Sequence, residues 1–157
     1  MFNFKKEKIA DNEFVAVSSG KIIPIETTKD EAFASKALGD GVAIEIDSDY
    51  IVAPCNGKIT MIYPTMHAFG ITSNEGVDVL VHIGINTVNA KGKGFKKFKK
   101  EGDIVKAGDK IIKLDTYYLR NENYDLTTME LFPSCEKKME LVRTGQAKEG
   151  KTVVAKY

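Results

Sequence analysis

Tryptophan is absent from the 157 residues, and histidine and cysteine each occur only twice. The missing Trp says nothing about the fold. Cys55 and Cys135 stand alone, with no second Cys at metal or redox spacing. They are expected to be reduced structural thiols. An excess of charge of either sign is also lacking, since Lys+Arg is 23 and Asp+Glu is 22, for a net of +1. That balance excludes general nucleic-acid binding, which needs a basic surplus. No apolar run approaches the roughly 20 residues of a membrane span, so direct membrane insertion is not expected. The opening residues, Met1 to Lys8, hold no apolar run fit for a secretory signal, and a cytosolic location is expected.

What is present is ordinary for a globular chain: 43% apolar and 29% charged residues. The length fits one domain with a hydrophobic core of its own. A single domain is expected over residues 14–157, after a flexible N-terminal segment 1–13. Short runs rich in Val and Ile recur between Gly, Pro, Asn and Asp. They lie at 14–17, 21–25, 42–46, 58–62, 66–72, 77–83, 103–105, 110–114, 129–131, 139–142 and 152–155. Many short runs with frequent turns predict an all-β protein, an antiparallel β-sandwich with barrel-like character. Two short helices are predicted, at 116–122 after an Asp115 cap and at 28–38 before Gly39-Asp40-Gly41.

The two histidines, His67 and His82, flank Ser73-Asn74-Glu75-Gly76, a turn signal between two strand-like runs. A four-residue hairpin loop there pairs Thr72 with Val77, and the same register sets His67 opposite His82. Directly opposed residues share a sheet face, with Cβ atoms about 4.5–5.5 Å apart. A slip of one residue would put the two on opposite faces. In the second strand Val77, Val79, Val81 and Ile83 form one apolar face that should enter the core. Asp78, Leu80 and His82 then point outward, so His82 is expected at the surface beside Leu80. Paired imidazoles in this setting suit metal binding, phosphotransfer or acid–base work. Two His alone are half of the four ligands a structural zinc normally takes.

Around these residues the sequence resembles the IIA component of the glucose-type sugar phosphotransferase system. The resemblance runs from about Phe14 to Lys156. It is carried by His67-Ala68-Phe69, Gly76-Val77-Asp78, Val81-His82-Ile83-Gly84-Ile85-Asn86-Thr87-Val88, Lys91-Gly92-Lys93-Gly94-Phe95 and Gly39-Asp40-Gly41. It implies an antiparallel β-sandwich and a phosphocarrier role. Phospho-HPr would deliver a phosphoryl group to His82, which would pass it to a Cys on the IIB domain of a membrane sugar permease. His67 matches the second active-site His, and Thr65 a Thr that hydrogen-bonds it. The family's apolar docking patch maps onto Phe33, Ala37, Leu38, Tyr63, Leu80 and Val88. No cofactor is required, although in some members both His positions bind zinc when a partner supplies a further ligand. Regulatory target proteins are a further class of partner the family implies.

The chemistry suits these residue types. A neutral imidazole, with an unperturbed pKa near about 6.5, has a free lone pair that can attack phosphorus. A second imidazole can donate to the phosphoryl oxygens. Two departures from the family pattern stand out: Asn86 replaces a common Asp, and Val17 stands where a Pro precedes Ser18-Ser19-Gly20.

Other features fit different readings. Residues 101–112 resemble the turn-and-strand pattern of biotinyl and lipoyl carriers, but Lys137-Lys138-Met139 is a poor match for a modified lysine. A non-catalytic regulatory module using only the apolar patch is the other alternative. Residues 91–100 hold six lysines and read as a solvated loop that could steer an acidic partner. Asp47 and Asp49 read as a polar turn.

Overall fold

A computed structural model describes residues 8–157, so most of the expected N-terminal segment 1–13 lies outside the described residues. Fourteen strands follow in chain order: β1 (Glu13–Val15), β2 (Gly20–Ile23), β3 (Asp40–Ile46), β4 (Tyr50–Val52), β5 (Gly57–Ile62), β6 (Ala68–Ser73), β7 (Asp78–Ile83), β8 (Phe95–Lys97), β9 (Ile104–Val105), β10 (Lys110–Leu114), β11 (Thr128–Phe132), β12 (Glu140–Leu141), β13 (Gly145–Ala147) and β14 (Val153–Lys156). Two short α-helices are α1 (Glu31–Ala34) and α2 (Thr116–Asn121). All strand pairs are antiparallel, in an eight-stranded sheet ordered β13-β2-β3-β11-β7-β6-β5-β9 and two three-stranded sheets, β4-β10-β8 and β1-β14-β12. This is the expected all-β sandwich.

Its main core joins Phe14, Ile44, Ile51, Ile59, Phe69, Ile71, Val79, Val81, Ile83, Ile112 and Leu114, all nearly inaccessible. Burying one such side chain stabilises the fold by about 1.5–3 kcal/mol. A second, smaller cluster lies on the outer face of the large sheet. There Ile25, Phe33, Ala43, Ile85, Met129 and Leu131 pack together, with Leu80 against them. The chain over residues 25–34 covers this face, and the functional site is built at its margin.

The helices are shorter than their predicted spans or equal to them within a residue. Asp115 caps α2 by accepting the Tyr118 N–H at 3.0 Å, as expected. In α1, Asp30 accepts the Ala32 N–H at 2.9 Å, and the helix stops after one turn because Lys36 is left-handed, with φ 62°. Residues 28–30 and 35–38 therefore lie outside it.

Candidate functional site

His82 stands on β7, whose alternation is as expected: Val77, Val79, Val81 and Ile83 are buried, Asp78 is exposed, and Leu80 and His82 are half-buried. The register differs from the expected one by a residue. Thr72 pairs with Asp78 and Ala68 with His82, so His67 is not the cross-strand partner. The hairpin loop is three residues long, not four. The Ser73 N–H donates to the Val77 carbonyl at 2.8 Å, and Gly76 is left-handed with φ 86°. A three-residue hairpin with Gly in that position is a favoured connection. This register also sets Phe69 and Ile71 opposite Val81 and Val79, so both strands turn their apolar faces to the core. The four-residue loop would have put Phe69 and Ile71 outside.

The imidazoles nevertheless meet, with ring centroids 5.2 Å apart in an edge-to-face arrangement. A turn does this rather than pleat alternation. His67 precedes β6, in a turn closed by Met66 N–H to the Tyr63 carbonyl at 2.7 Å, with Met66 left-handed at φ 59°. The His67 carbonyl accepts the Ile83 N–H at 2.7 Å, which ties this turn to the end of β7.

Each ring has one nitrogen occupied. Nδ1 of His82 lies 2.9 Å from the Gly84 carbonyl oxygen. A carbonyl can only accept, so Nδ1 carries the proton and Nε2 keeps its lone pair. Nδ1 of His67 lies 2.5 Å from Thr65 Oγ1. When the hydroxyl donates to Nδ1, the His67 proton sits on Nε2. Burial lowers the pKa of both imidazoles below the ordinary histidine range. For His82 the bond to Gly84 opposes that shift, His67 adds to it, and the charge of Asp30 opposes it. A neutral nucleophile thus lies beside a neutral N–H donor, a pairing suited to attack on an electrophile that develops negative charge.

The expected apolar patch divides in two. Phe33 is buried, 3% exposed, with its ring 4.8 Å from that of His82. It backs the imidazole and offers no surface. Leu38, Tyr63 and Val88 are exposed at 41%, 37% and 46%, Ala37 is exposed, and Leu80 is half-buried. Tyr63 also meets the His67 ring edge-to-face at 5.2 Å. Asn86 is exposed and left-handed with φ 57°, a conformation Asn and Asp tolerate best among residues with a Cβ.

Two participants escaped sequence reasoning. Gly84 supplies the carbonyl that orients His82, and its φ of 75° with Thr87 and the Asp125 carbonyl against it leaves no room for a Cβ. Asp30 caps α1, and its charge opposes the lowering of the His82 pKa. Gly84 lay within a resembling motif, but a backbone acceptor leaves no side-chain signal. Among the described residues, no group of three or more His, Cys, Asp or Glu side chains could hold a metal. His67 and His82 alone are two ligands of a zinc set that normally needs four. Asp49 is engaged otherwise, accepting from Thr116 Oγ1 at 2.5 Å.

Residues 12–137 match the family described as phosphoenolpyruvate-dependent sugar phosphotransferase system, EIIA 1. A PTS system glucose-specific EIIA component of Borreliella burgdorferi is 46% identical over 122 residues, covering 78% of this chain. The match covers 65% of that relative, so this chain spans less than two thirds of its length. A PTS system glucose-specific EIICBA component of Streptococcus pneumoniae is 39% identical over 146 residues, or 92% of this chain and 20% of that protein. The solved structure of glucose permease IIA from Mycoplasma capricolum superposes with a TM-score of 0.86 at 35% identity, covering 99% of both chains. By sequence and by fold, the chain belongs to the EIIA 1 family of the phosphoenolpyruvate-dependent sugar phosphotransferase system.

Proposed function

We propose that this chain is a cytoplasmic phosphocarrier for glucose-type sugar uptake, working as a single domain over residues 14–157. It takes a phosphoryl group from phospho-HPr onto His82 Nε2. It then gives the group to a Cys of the IIB domain of a membrane permease. The observation that carries this reading is the Nδ1 contact of His82 with Gly84, which leaves Nε2 unprotonated beside the His67 ring.

In the first transfer, the Nε2 lone pair forms a bond to phosphorus as the P–N bond to the HPr histidine breaks. The proton on Nδ1 stays in place, so the imidazole needs no base to attack. Charge collects on the three peripheral phosphoryl oxygens. His67 meets it through Nε2–H, with Thr65 donating to Nδ1 to hold that tautomer. Phe33 keeps the His82 ring in position. In the second transfer the P–N bond to Nε2 breaks as sulfur of the IIB thiolate bonds to phosphorus. Leu38, Tyr63, Leu80 and Val88, with Ala37, form the rim on which partner proteins dock and exclude water. Regulatory proteins that use this rim would compete with HPr and IIB. A metal plays no part in either step, and zinc would bind only where a partner adds ligands to His67 and His82. The glucose-specific names of the relatives support the sugar class, and the EIICBA name of the Streptococcus relative supports IIB as the acceptor.

The test is incubation with radiolabelled phosphoenolpyruvate, enzyme I and HPr. Wild type and His67→Gln take up label, His82→Ala takes up none, and His67→Gln passes it poorly to IIB. Equal labelling of His82→Ala and wild type would overturn the assignment. Unimpaired transfer from His67→Gln would overturn the role given to His67.

A further inference from the structure

Residues 91–113 hold nine lysines against Glu101, Asp103 and Asp109, a net of +6 in a chain whose total is +1. The rest of the chain is therefore acidic, with a net of −5. Eight of the nine lysines are exposed and Lys99 is half-buried. Among the described residues none takes part in an ion pair, where the cations are Lys29, Lys36, Arg143 and Lys156. Asp49 and Asp115 adjoin Lys96 and Lys113, but they are occupied by Thr116 and by the cap of α2.

The small sheet β4-β10-β8 gathers part of this charge on its outer face. Lys113 pairs directly with Lys96 on one side and with Tyr50 on the other. Lys110 Nζ lies 4.2 Å from the centre of the Tyr50 ring, Lys113 Nζ 5.7 Å from it, and Lys96 Nζ 5.6 Å from that of Phe98. The Tyr50 and Phe98 rings stack at 6.4 Å. The face thus mixes uncompensated ammoniums with two aromatic rings, Phe98 being 42% exposed. It is separate from the histidines, whose aromatic neighbours are Phe33, Tyr63 and each other.

We propose that this face, centred on Tyr50, Lys96, Phe98, Lys110 and Lys113, docks on an anionic lipid bilayer. Residues 91–113 contain no Arg. Arg is the residue suited to forked recognition of a particular phosphate, whereas Lys acts as a compact point charge. An array of point charges matches the diffuse field of an acidic leaflet better than the fixed phosphates of a nucleic acid. Tyr is also one of the side chains that settle at a bilayer's headgroup level, and the half-buried Tyr50 lies at the centre of this face. The acidic remainder of the chain would be repelled by the same surface, which fixes the orientation. The imidazole site stays free, because it lies on another face.

Sedimentation of the full chain with vesicles tests this. Vesicles of roughly one third phosphatidylglycerol in phosphatidylcholine should bind it, and pure phosphatidylcholine should not. Each lysine near such a surface contributes about five-fold, so the K96Q/K110Q/K113Q variant should partition on the order of 100-fold more weakly. Binding should fade as salt rises to about 0.5 M, where the screening length is only a few ångströms. K5Q/K6Q/K8Q, which leaves every lysine of residues 91–113 in place, should keep most of the binding. Unchanged phosphoryl uptake by K96Q/K110Q/K113Q checks that it folds. Equal binding to neutral vesicles overturns the proposal. So does loss of binding only in K5Q/K6Q/K8Q, or binding of an RNA homopolymer or acidic protein without binding to the vesicles.

Discussion

Replacing Glu130 by Leu and Val17 by Pro, singly and together, isolates one hydrogen bond in the core. The Val17 N–H donates to Glu130 Oε1 at 3.0 Å, and both residues are 0% exposed. Val17 occupies the position where the family pattern has Pro, so this chain has a buried donor the pattern lacks. Glu130 answers it. Burial pushes its carboxyl well above the usual glutamate range, and the Val17 N–H only partly opposes this. In Glu130→Leu the N–H is orphaned, at a cost of about 1–3 kcal/mol. In Val17→Pro both carboxyl oxygens are left without a partner, since Oε2 already has none. The double variant removes both halves, so it should be more stable than the two single losses predict, by a coupling of about 1–3 kcal/mol. Urea denaturation at fixed pH measures this. In melting temperature it corresponds to about 2–4 °C per kcal/mol for a chain of this size. Additivity within about 0.5 kcal/mol would refute the pairing. Glu130→Gln keeps a neutral acceptor and supplies the pH control. Unfolded glutamate ionises above about pH 4.5 while the folded acid keeps its proton, so wild-type stability falls as pH rises and Gln should gain on it.

The remaining predictions concern the histidines. Thr65→Val should leave the extent of phosphoryl uptake intact and slow each transfer roughly five-fold, the worth of about 1 kcal/mol in holding one tautomer. Nitrogen NMR of His67 should show a shift of the proton from Nε2 toward Nδ1, and an unchanged tautomer would count against the role of Thr65. Uptake should persist below pH 6.5, because burial keeps His82 neutral where a free imidazole is half protonated. The histidines' own contribution to stability should fall as pH drops below about 6.5, where the unfolded chain binds protons first. It is opposite in sign to that of Glu130 and is read as the difference between wild type and His82→Ala. A rate that halves at or above pH 6.5 contradicts the shift.

Sequence reading reached furthest where one face meets the core. Val77, Val79, Val81 and Ile83 put Leu80 and His82 on the other face without help from the fold. Asp115 announced α2. The register failed because a turn signal does not give loop length. Only the fit of Phe69 and Ile71 against Val81 and Val79 decides between three residues and four. The contact between the imidazoles was expected for the wrong reason, since it depends on the left-handed Met66. Phe33 was expected on the surface, yet it packs on Met129 and Leu131, which lie almost a hundred residues away. The strands Tyr50–Val52, Phe95–Lys97 and Gly145–Ala147 were missed. They are three residues each, and Phe95-Lys96-Lys97 sits in a lysine-rich stretch that reads as loop. Glu130 was hidden because a carboxylate in a strand reads as solvent-facing until its neighbours are known.

The central claim is that His82 presents Nε2 because Gly84 holds Nδ1–H. Phosphorus–nitrogen NMR of the phosphorylated chain tests it most directly. The account predicts one phosphohistidine, with phosphorus bonded to Nε2 of His82 and the Nδ1 proton still present. Phosphorus on Nδ1 of His82, or on His67, would contradict it.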